Sequence, residues 1–143
     1  MCLSGLIDKS KLSILERHNL RNGVGYKVFL FYKDRIYSEH MGQYYSTPYP
    51  VNKWIKNTYK QTLYIDSIYI ETYVSGFHIF LSRKDAKKWM VDDDYTFHIR
   101  KIKFKNVTSI GFQEYCEDKL HIAVAQEMLI CPRPIKGSKH ETK

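Results

Sequence analysis

The stretch VSGFHIFLSRKDAKKWM, residues 74–90, decides the fold that this sequence predicts. Gly76 interrupts the preceding pattern, and the run Phe77–Leu81 is short and mostly apolar, as is typical of a β-strand. Ser82 has the position of a helix N-cap, and Asp85 follows three residues later, as in a capping box. We therefore predict a strand, a tight switch and a short helix, around which the other strands pack.

The apolar residues of this predicted helix share one face. Ala86, Trp89 and Met90 have the spacing i, i+3 and i+4, which places them on the same side of a helix. The other face carries four cations: Arg83, Lys84, Lys87 and Lys88. We expect Trp89 to be buried against a sheet, with the cations in solvent.

Composition indicates a single folded domain. The chain has 143 residues, of which 43% are hydrophobic, enough for a core without disulfides or metal. The three cysteines, Cys2, Cys116 and Cys131, form no C-x-x-C pair, so we expect buried, reduced thiols and no zinc site. No apolar run approaches the roughly 20 residues of a membrane span, and no signal peptide is visible. These features favour a cytoplasmic protein without a membrane partner.

The predicted fold class is α+β, a single domain over residues 1–143 with an antiparallel β-sheet packed by one or two short helices. Residues 1–22 are predicted to be a lead-in segment with a short helix, and residues 132–143 a flexible polar tail. A second short helix is expected over residues 51–58. The predicted strands span residues 26–32, 35–39, 63–73, 77–81, 95–105, 108–115 and 121–130. In the last strand, Ile122, Val124, Met128 and Ile130 are expected on one face.

The strand over residues 95–105 changes its alternation. Its apolar residues occupy odd positions as far as Ile99 and even positions from Ile102 onward. Such a change predicts an extra residue, and we expect a β-bulge near Arg100 and Lys101. With that bulge, one face would carry a cationic stripe, formed by His98, Arg100, Lys101, Lys103 and Lys105. The alternative is an ordinary solvated face, where charged residues are common.

The formal net charge of +8 favours an anionic partner: nucleic acid, a nucleotide or an acidic host protein surface. Charge that only aids solubility is the alternative. The tyrosines of the loop over residues 42–50 could stack on bases, as in single-strand binders. The predicted ligand-binding residues are Arg100, Lys101, Lys103, Lys105, His98, His78, Arg83, Lys87, Tyr45 and Tyr49. A homo-oligomer is compatible with the sequence.

His78 has two interpretations. It could act as a general base or read a ligand, because histidine titrates near neutrality. It could also be a core histidine with hydrogen bonds to the backbone. No phosphate loop, paired carboxylates, metal-ligand spacing or Ser-His-Asp pattern occurs, so we expect no cofactor, no metal and no catalysis. The rival hypotheses are a small enzyme of ADP-ribosyltransferase-like type, with Ser46-Thr47, His78 and Gln113-Glu114, and a structural protein-binding module.

Five segments together resemble a group of small uncharacterised bacteriophage proteins. They are Gly25-Tyr26-Lys27-Val28-Phe29, Gly76-Phe77-His78-Ile79-Phe80, Asp85-Ala86, Trp89 and Val124-Ala125-Gln126-Glu127-Met128. The resemblance extends from Gly25 to Ile130 and implies a phage origin. It carries no catalytic residue across. By analogy with other small phage proteins, it implies an accessory factor that inhibits host defence in the cytoplasm of an infected bacterium.

Overall fold

The computed structural model describes residues 3–38, 48–58, 61–65, 71–90 and 97–132. The elements are β1 (Gly5–Leu6), a 3₁₀ turn (Lys9–Lys11), α1 (Ile14–Asn22), β2 (Val24–Tyr32), β3 (Arg35–Ser38), β4 (Trp54–Lys56), β5 (Thr62–Ile65), β6 (Glu71–Val74), β7 (Phe77–Phe80), α2 (Arg83–Trp89), β8 (Phe97–Tyr115) and β9 (Asp118–Ile130). All strand pairings are antiparallel. The predicted α+β class is confirmed.

The main sheet closes on itself. Within the described part of the chain, it has the strand order β1-β8-β2-β7-β9-β4, with β3 on β2. The long strand β8 pairs with β2 through its first residues and with β9 along the rest, so β8, β2, β7 and β9 form a closed circuit of pairings. A separate hairpin of β5 and β6 completes the architecture.

The sheet has a core on each face, because adjacent residues of a strand point to opposite sides. Phe29 and Ile79 belong to the larger core, whereas their neighbours Val28 and Phe80 belong to the smaller core. The larger core comprises Leu12, Phe29, Ile36, Ile79, Leu81, Ile102, Phe104, Ala123, Ala125, Met128 and Ile130. The smaller core comprises Leu3, Val28, Ile65, Tyr73, Phe80, Ala86, Leu120, Ile122 and Val124.

Local sequence sets both helices. Ser13 and Glu16 form a complete capping box at the start of α1, and Gly23 ends it in the left-handed region, at φ 66°. The predicted N-cap of α2 is confirmed, since the Ser82 hydroxyl accepts a hydrogen bond from the Asp85 amide. Gly25 allows close approach of β2 to β7: a Cβ there would lie 2.5 Å from Cγ2 of Ile79.

Three predicted elements are wrong. The segment expected to be a helix over residues 51–58 contains β4, which pairs with β9. The single strand expected over residues 63–73 is instead the hairpin of β5 and β6. The two strands expected over residues 95–105 and 108–115 form one continuous strand, β8, in which Asn106 takes φ 61°. In each case tertiary pairing decides the structure, as β-propensity depends strongly on context.

The bulge predicted near Arg100 and Lys101 is also wrong. Those two residues pair regularly with Lys27 and Tyr26 of β2. The shift of the apolar residues from odd to even positions, here called the parity change, has another cause. Phe97 and Ile99 pack on the smaller core, whereas Ile102 and Phe104 pack on the larger core. Because both faces are covered in succession, the apolar pattern changes sides without an extra residue.

The irregularity of β8 lies further on, between Val107 and Ser109, where its register with β9 shifts. The prediction that four apolar residues of β9 share one face is also wrong, because Met128 and Ile130 pack in the larger core, whereas Ile122 and Val124 pack in the smaller core.

Three other expectations concern the thiols, membrane spans and the termini. Cys116 is exposed in the turn between β8 and β9, so the expectation of a buried thiol is wrong there. No helix among the described residues is long and apolar enough to cross a membrane. Cys2 and the predicted tail beyond Pro132 lie outside the described residues.

Candidate nucleic-acid interface

The predicted cationic stripe is divided between the two faces of β8. Arg100 is 9% exposed, and its Nη2 donates a hydrogen bond of 2.7 Å to the carbonyl of Cys131. His98, on the same side of the strand, stacks on Phe31 with ring centroids 4.6 Å apart. Regular pairing with β2 therefore turns Arg100 and His98 away from the lysines, and the prediction of one stripe is wrong.

Three lysines of the stripe remain together. Lys101, Lys103 and Lys105 are exposed and alternate with Ile102 and Phe104, which are buried in the larger core. The three lysines thus share the solvent side of this part of the sheet.

Strand register adds a tryptophan and a fourth lysine to this surface. Lys103 pairs with Leu129, which pairs with Trp54 of β4. In the next position, Lys105 pairs with Glu127, which pairs with Lys56. Trp54 is 43% exposed, and Nζ of Lys105 lies 4.2 Å from its ring centroid. We call Trp54, Lys56, Lys101, Lys103 and Lys105 the basic sheet face.

The charge of the basic sheet face is only partly neutralised. Nζ of Lys105 lies 3.8 Å from a carboxylate oxygen of Glu127, which also accepts a hydrogen bond from Asn106. Among the described residues, no carboxylate forms an ion pair with Lys101 or Lys103. These two ammonium groups are therefore available to an anionic ligand.

Trp54 is not among the predicted ligand-binding residues, because the segment that contains it was expected to form a helix. Trp54 and Lys56 are exposed, whereas Ile55 between them packs against the larger core. This alternation is a strand signal, although three residues are too few to distinguish a strand from a turn of helix.

The cations of α2 form a separate basic patch. Arg83, Lys84, Lys87 and Lys88 line an open depression of about 500 Å³. Lys88 lies 3.5 Å from a carboxylate oxygen of Asp118, whereas Arg83 and Lys87 are exposed. The patch is carried by a helix of seven residues and contains no aromatic side chain.

His78 has the surroundings of a core histidine. It is 6% exposed, with Nε2 2.9 Å from the Tyr73 hydroxyl and Nδ1 3.1 Å from the Gly76 carbonyl oxygen. Its own carbonyl accepts a hydrogen bond of 2.9 Å from Nζ of the buried Lys27. Both ring nitrogens have protein partners, so His78 contributes to a buried polar network.

Tyr49 lies apart from the basic sheet face. Its ring meets Phe29 of the larger core edge-on, with centroids 5.8 Å apart, and its amide donates to the Ile36 carbonyl. Burial raises the pKa of Tyr49, an effect that a hydrogen bond with Ser38 opposes. Tyr49 is thus a packing residue, whereas Tyr44 and Tyr45 lie outside the described residues.

A second cluster, which sequence reasoning missed, joins both helices to β9. His121 Nδ1 lies 2.9 Å from a carboxylate oxygen of Glu16, and the His121 amide donates to Asp85 at 3.0 Å. Each carboxylate follows its helix N-cap by three residues. We call Glu16, Asp85 and His121 the helix clasp.

Electrostatics within the helix clasp favour an ion pair. The hydrogen bond to Glu16 holds the pKa of His121 above its ordinary value. Burial raises the pKa of Glu16, but hydrogen bonds from His121 and Ser13 outweigh it, so the net pKa is lowered. Burial raises the pKa of Asp85 despite the hydrogen bond from the His121 amide. The ligand atoms of the three side chains lie within 4.8 Å of one another; the His121 ring binds Glu16, and the His121 backbone amide binds Asp85.

Comparison with protein-family models, with curated proteins and with solved structures gives no match for this chain. Function is therefore inferred from the geometry and charge of the described residues.

Proposed function

We propose that this protein is a non-catalytic binding protein that holds single-stranded nucleic acid on the basic sheet face. The observation that carries the proposal is the exposed Trp54, beside Nζ of Lys105 and in register with Lys103. Single-strand binders combine cations that follow the phosphates with aromatic rings on which bases stack. The basic sheet face has both features.

The spacing along β8 supports this chemistry. Alternate residues of a strand lie roughly 7 Å apart, so Lys101, Lys103 and Lys105 form a row of cations along the sheet. Each ammonium group can contact a phosphate without reading base identity, which favours binding with little sequence specificity. Trp54 sits at the edge of this row, where an unpaired base can reach its ring.

The resemblance to small bacteriophage proteins supports a biological role for such binding. In that setting, the protein acts in the cytoplasm of an infected bacterium and inhibits host defence. Its target there would be a nucleic acid, a nucleotide signal or a nucleoprotein effector of the host. The net charge of +8 suits each of these anionic targets.

The geometry of His78 weighs against the enzymatic alternative. A general base needs access to a substrate proton, whereas His78 is 6% exposed and its ring nitrogens contact Tyr73 and Gly76. Of the other residues of the ADP-ribosyltransferase-like hypothesis, Ser46-Thr47 lie outside the described residues, and Glu114 is exposed on β8.

Tryptophan fluorescence tests the proposal directly. The chain has two tryptophans, so a Trp89→Phe protein reports on Trp54 alone. We expect a single-stranded oligonucleotide to quench this signal, because stacking brings a base against the indole. Trp54→Leu should weaken binding roughly tenfold, since one stacked base contributes about 1–3 kcal/mol.

Two outcomes would contradict the proposal. If duplex DNA binds as tightly as the single strand and leaves Trp54 fluorescence unchanged, bases do not stack on this surface. If neither single strand nor duplex binds at low salt, the basic sheet face is not a nucleic-acid site.

A further inference from the structure

A groove of about 580 Å³ lies between α1 and the irregular segment of β8. Its lining combines apolar side chains, three cations and two hydroxyl groups. The apolar residues are Ile7, Leu20, Val107 and Ile110; the cations are Lys9, Arg17 and Arg21; the hydroxyl groups belong to Thr108 and Ser109. None of these residues belongs to the basic sheet face.

The groove exists because β8 is irregular beside a helix. The register of β8 with β9 shifts between Val107 and Ser109, just after Asn106 takes φ 61°. A bulge of this kind bends a strand and redirects its side chains, and such bulges are frequent next to binding sites. On α1, Arg17 and Arg21 are four residues apart, so their side chains share one face.

The charge of the groove is positive and uncompensated. Lys9, Arg17 and Arg21 are exposed, and no carboxylate is among the lining residues that the structure describes. In the described part of the chain, none of these three cations forms an ion pair. Glu16, the neighbour of Arg17, is engaged by His121 and Ser13 in the helix clasp.

The floor of the groove is suited to an organic ligand. Leu20, Ile7 and Ile110 are half-buried and pack against the larger core, so they present a firm apolar surface. The Thr108 hydroxyl is held by Gln126, whose Nε2 donates to it at 3.2 Å. Ser109 is half-buried beside it and adds a second hydroxyl group to the lining.

We propose that this groove binds an organic phosphate of nucleotide size. Its volume falls within the range of roughly 300–1,000 Å³ that is usual for small-molecule sites. Arg17 and Arg21, on one face of α1, can bind phosphate oxygens through paired hydrogen bonds. The base of the nucleotide can then pack against the apolar floor. The site is separate from the surface assigned to single-stranded nucleic acid, and neither assignment depends on the other.

Fluorescence anisotropy of a methylanthraniloyl derivative of ATP tests the groove. We expect saturable binding, with displacement by ATP. Adenosine and inorganic pyrophosphate should each compete at least tenfold more weakly than ATP. Adenosine lacks the phosphates that the arginines would bind, and pyrophosphate lacks the base that would pack on the apolar floor. Equal competition by pyrophosphate and ATP would overturn the proposal, since the apolar floor would then contribute nothing. Absence of binding at millimolar nucleotide would also overturn it.

Paired variants locate the site. The double variant Arg17→Gln, Arg21→Gln should weaken nucleotide binding at least tenfold. The matched control is Arg83→Gln, Lys84→Gln, which removes the same charge from α2 and should change nucleotide affinity less than twofold. All four side chains are exposed, so both variants should unfold at nearly the wild-type temperature. Equal weakening by the two variants would show that net charge, and not the groove, attracts the nucleotide.

Discussion

At the scale of single residues, His121 connects parts of the chain that are far apart in sequence. Its ring contacts Glu16 of α1, and its backbone amide binds Asp85 of α2. Each acid also lies in the first turn of its helix, where a carboxylate is favoured by the helix dipole. The helix clasp therefore joins both helices to β9 through carboxylates of their first turns, and Glu16 also completes the capping box of α1.

The helix clasp predicts a pH dependence of stability. The pKa of His121 is raised above its ordinary value of 6.5, so its contribution is complete below pH 6.5 and is lost as the pH rises through the folded-state pKa. The pKa of Glu16 is lowered from 4.5, so its contribution is present above pH 4.5 and is lost in acid. The raised pKa of Asp85 adds stability only below its ordinary value of 3.8, and this is lost as that carboxyl ionises. We expect the clasp to stabilise most between pH 4.5 and 6.5.

Thermal unfolding of Glu16→Gln between pH 6 and 8 checks this expectation. Glutamine also serves in a capping box, so the substitution keeps the helix cap and removes the charge. The melting temperature of the variant should fall less over this pH range than that of the wild type. His18→Gln, an exposed histidine on the same helix, is the control and should preserve the wild-type decline. Identical declines in Glu16→Gln and the wild type would exclude the ion pair.

At the scale of elements, α2 shows how a short helix is held by its neighbours. It has seven residues, too few for an isolated helix to be stable. Ala86 is fully buried, and Trp89 packs between Phe80 and Tyr115, with ring centroids 6.2 Å and 5.7 Å away. Trp89 makes the expected contact with the sheet, but its side chain is half-buried and remains partly exposed to solvent.

Removal of the Trp89 ring should therefore destabilise the protein. We expect Trp89→Ala to reduce the free energy of unfolding by about 3 kcal/mol, the lower end of the range for large aromatic residues in cores. Trp54→Ala is the matched control, and its cost should stay under about 1 kcal/mol because Trp54 is exposed. Urea denaturation measures both values. Equal losses for the two variants would mean that α2 is not docked through Trp89.

At the scale of the whole molecule, the sheet is covered on different sides at different points along β8. Phe97 and Ile99 pack on the smaller core, and further along Ile102 and Phe104 pack on the larger core. Beyond Ile99, the lysines continue the side of the strand that carried the smaller core, but here they meet solvent. The basic sheet face is thus a surface that the described residues leave uncovered.

The salt dependence of nucleic-acid binding tests this surface as a whole. Each phosphate contact on a single strand contributes about −0.7 to the slope of log affinity against log salt concentration. The triple variant Lys101→Gln, Lys103→Gln, Lys105→Gln should therefore reduce the magnitude of the slope by about 2.

A second triple variant supplies the control, with the same loss of charge on α2: Arg83→Gln, Lys84→Gln, Lys87→Gln. It should leave the slope nearly unchanged if the strand binds on the sheet. A larger effect from the α2 variant would move the interface to the helix.

The sequence by itself determined the features that depend on near neighbours. The strand, switch and helix of residues 74–90, the N-cap at Ser82 and the antiparallel α+β class could all be predicted. The two-residue turn Lys33-Asp34 between β2 and β3 is equally local, and both of its residues have positive φ. These features are local because caps, turns and apolar periodicity act over a few residues. The net charge of +8, on which the proposal of an anionic partner is based, is likewise a property of composition.

Only the tertiary structure decided which residues share a surface. The parity change in β8 is compatible with a bulge or with a change of covered face, and long-range packing selects the second. That choice buries Arg100, leaves Lys101 and its partners in solvent, and brings Trp54 beside them through pairing with β9. The helix clasp and the groove likewise join segments about a hundred residues apart. No local pattern encodes such juxtapositions, because strand register and two-sided burial are properties of the assembled sheet.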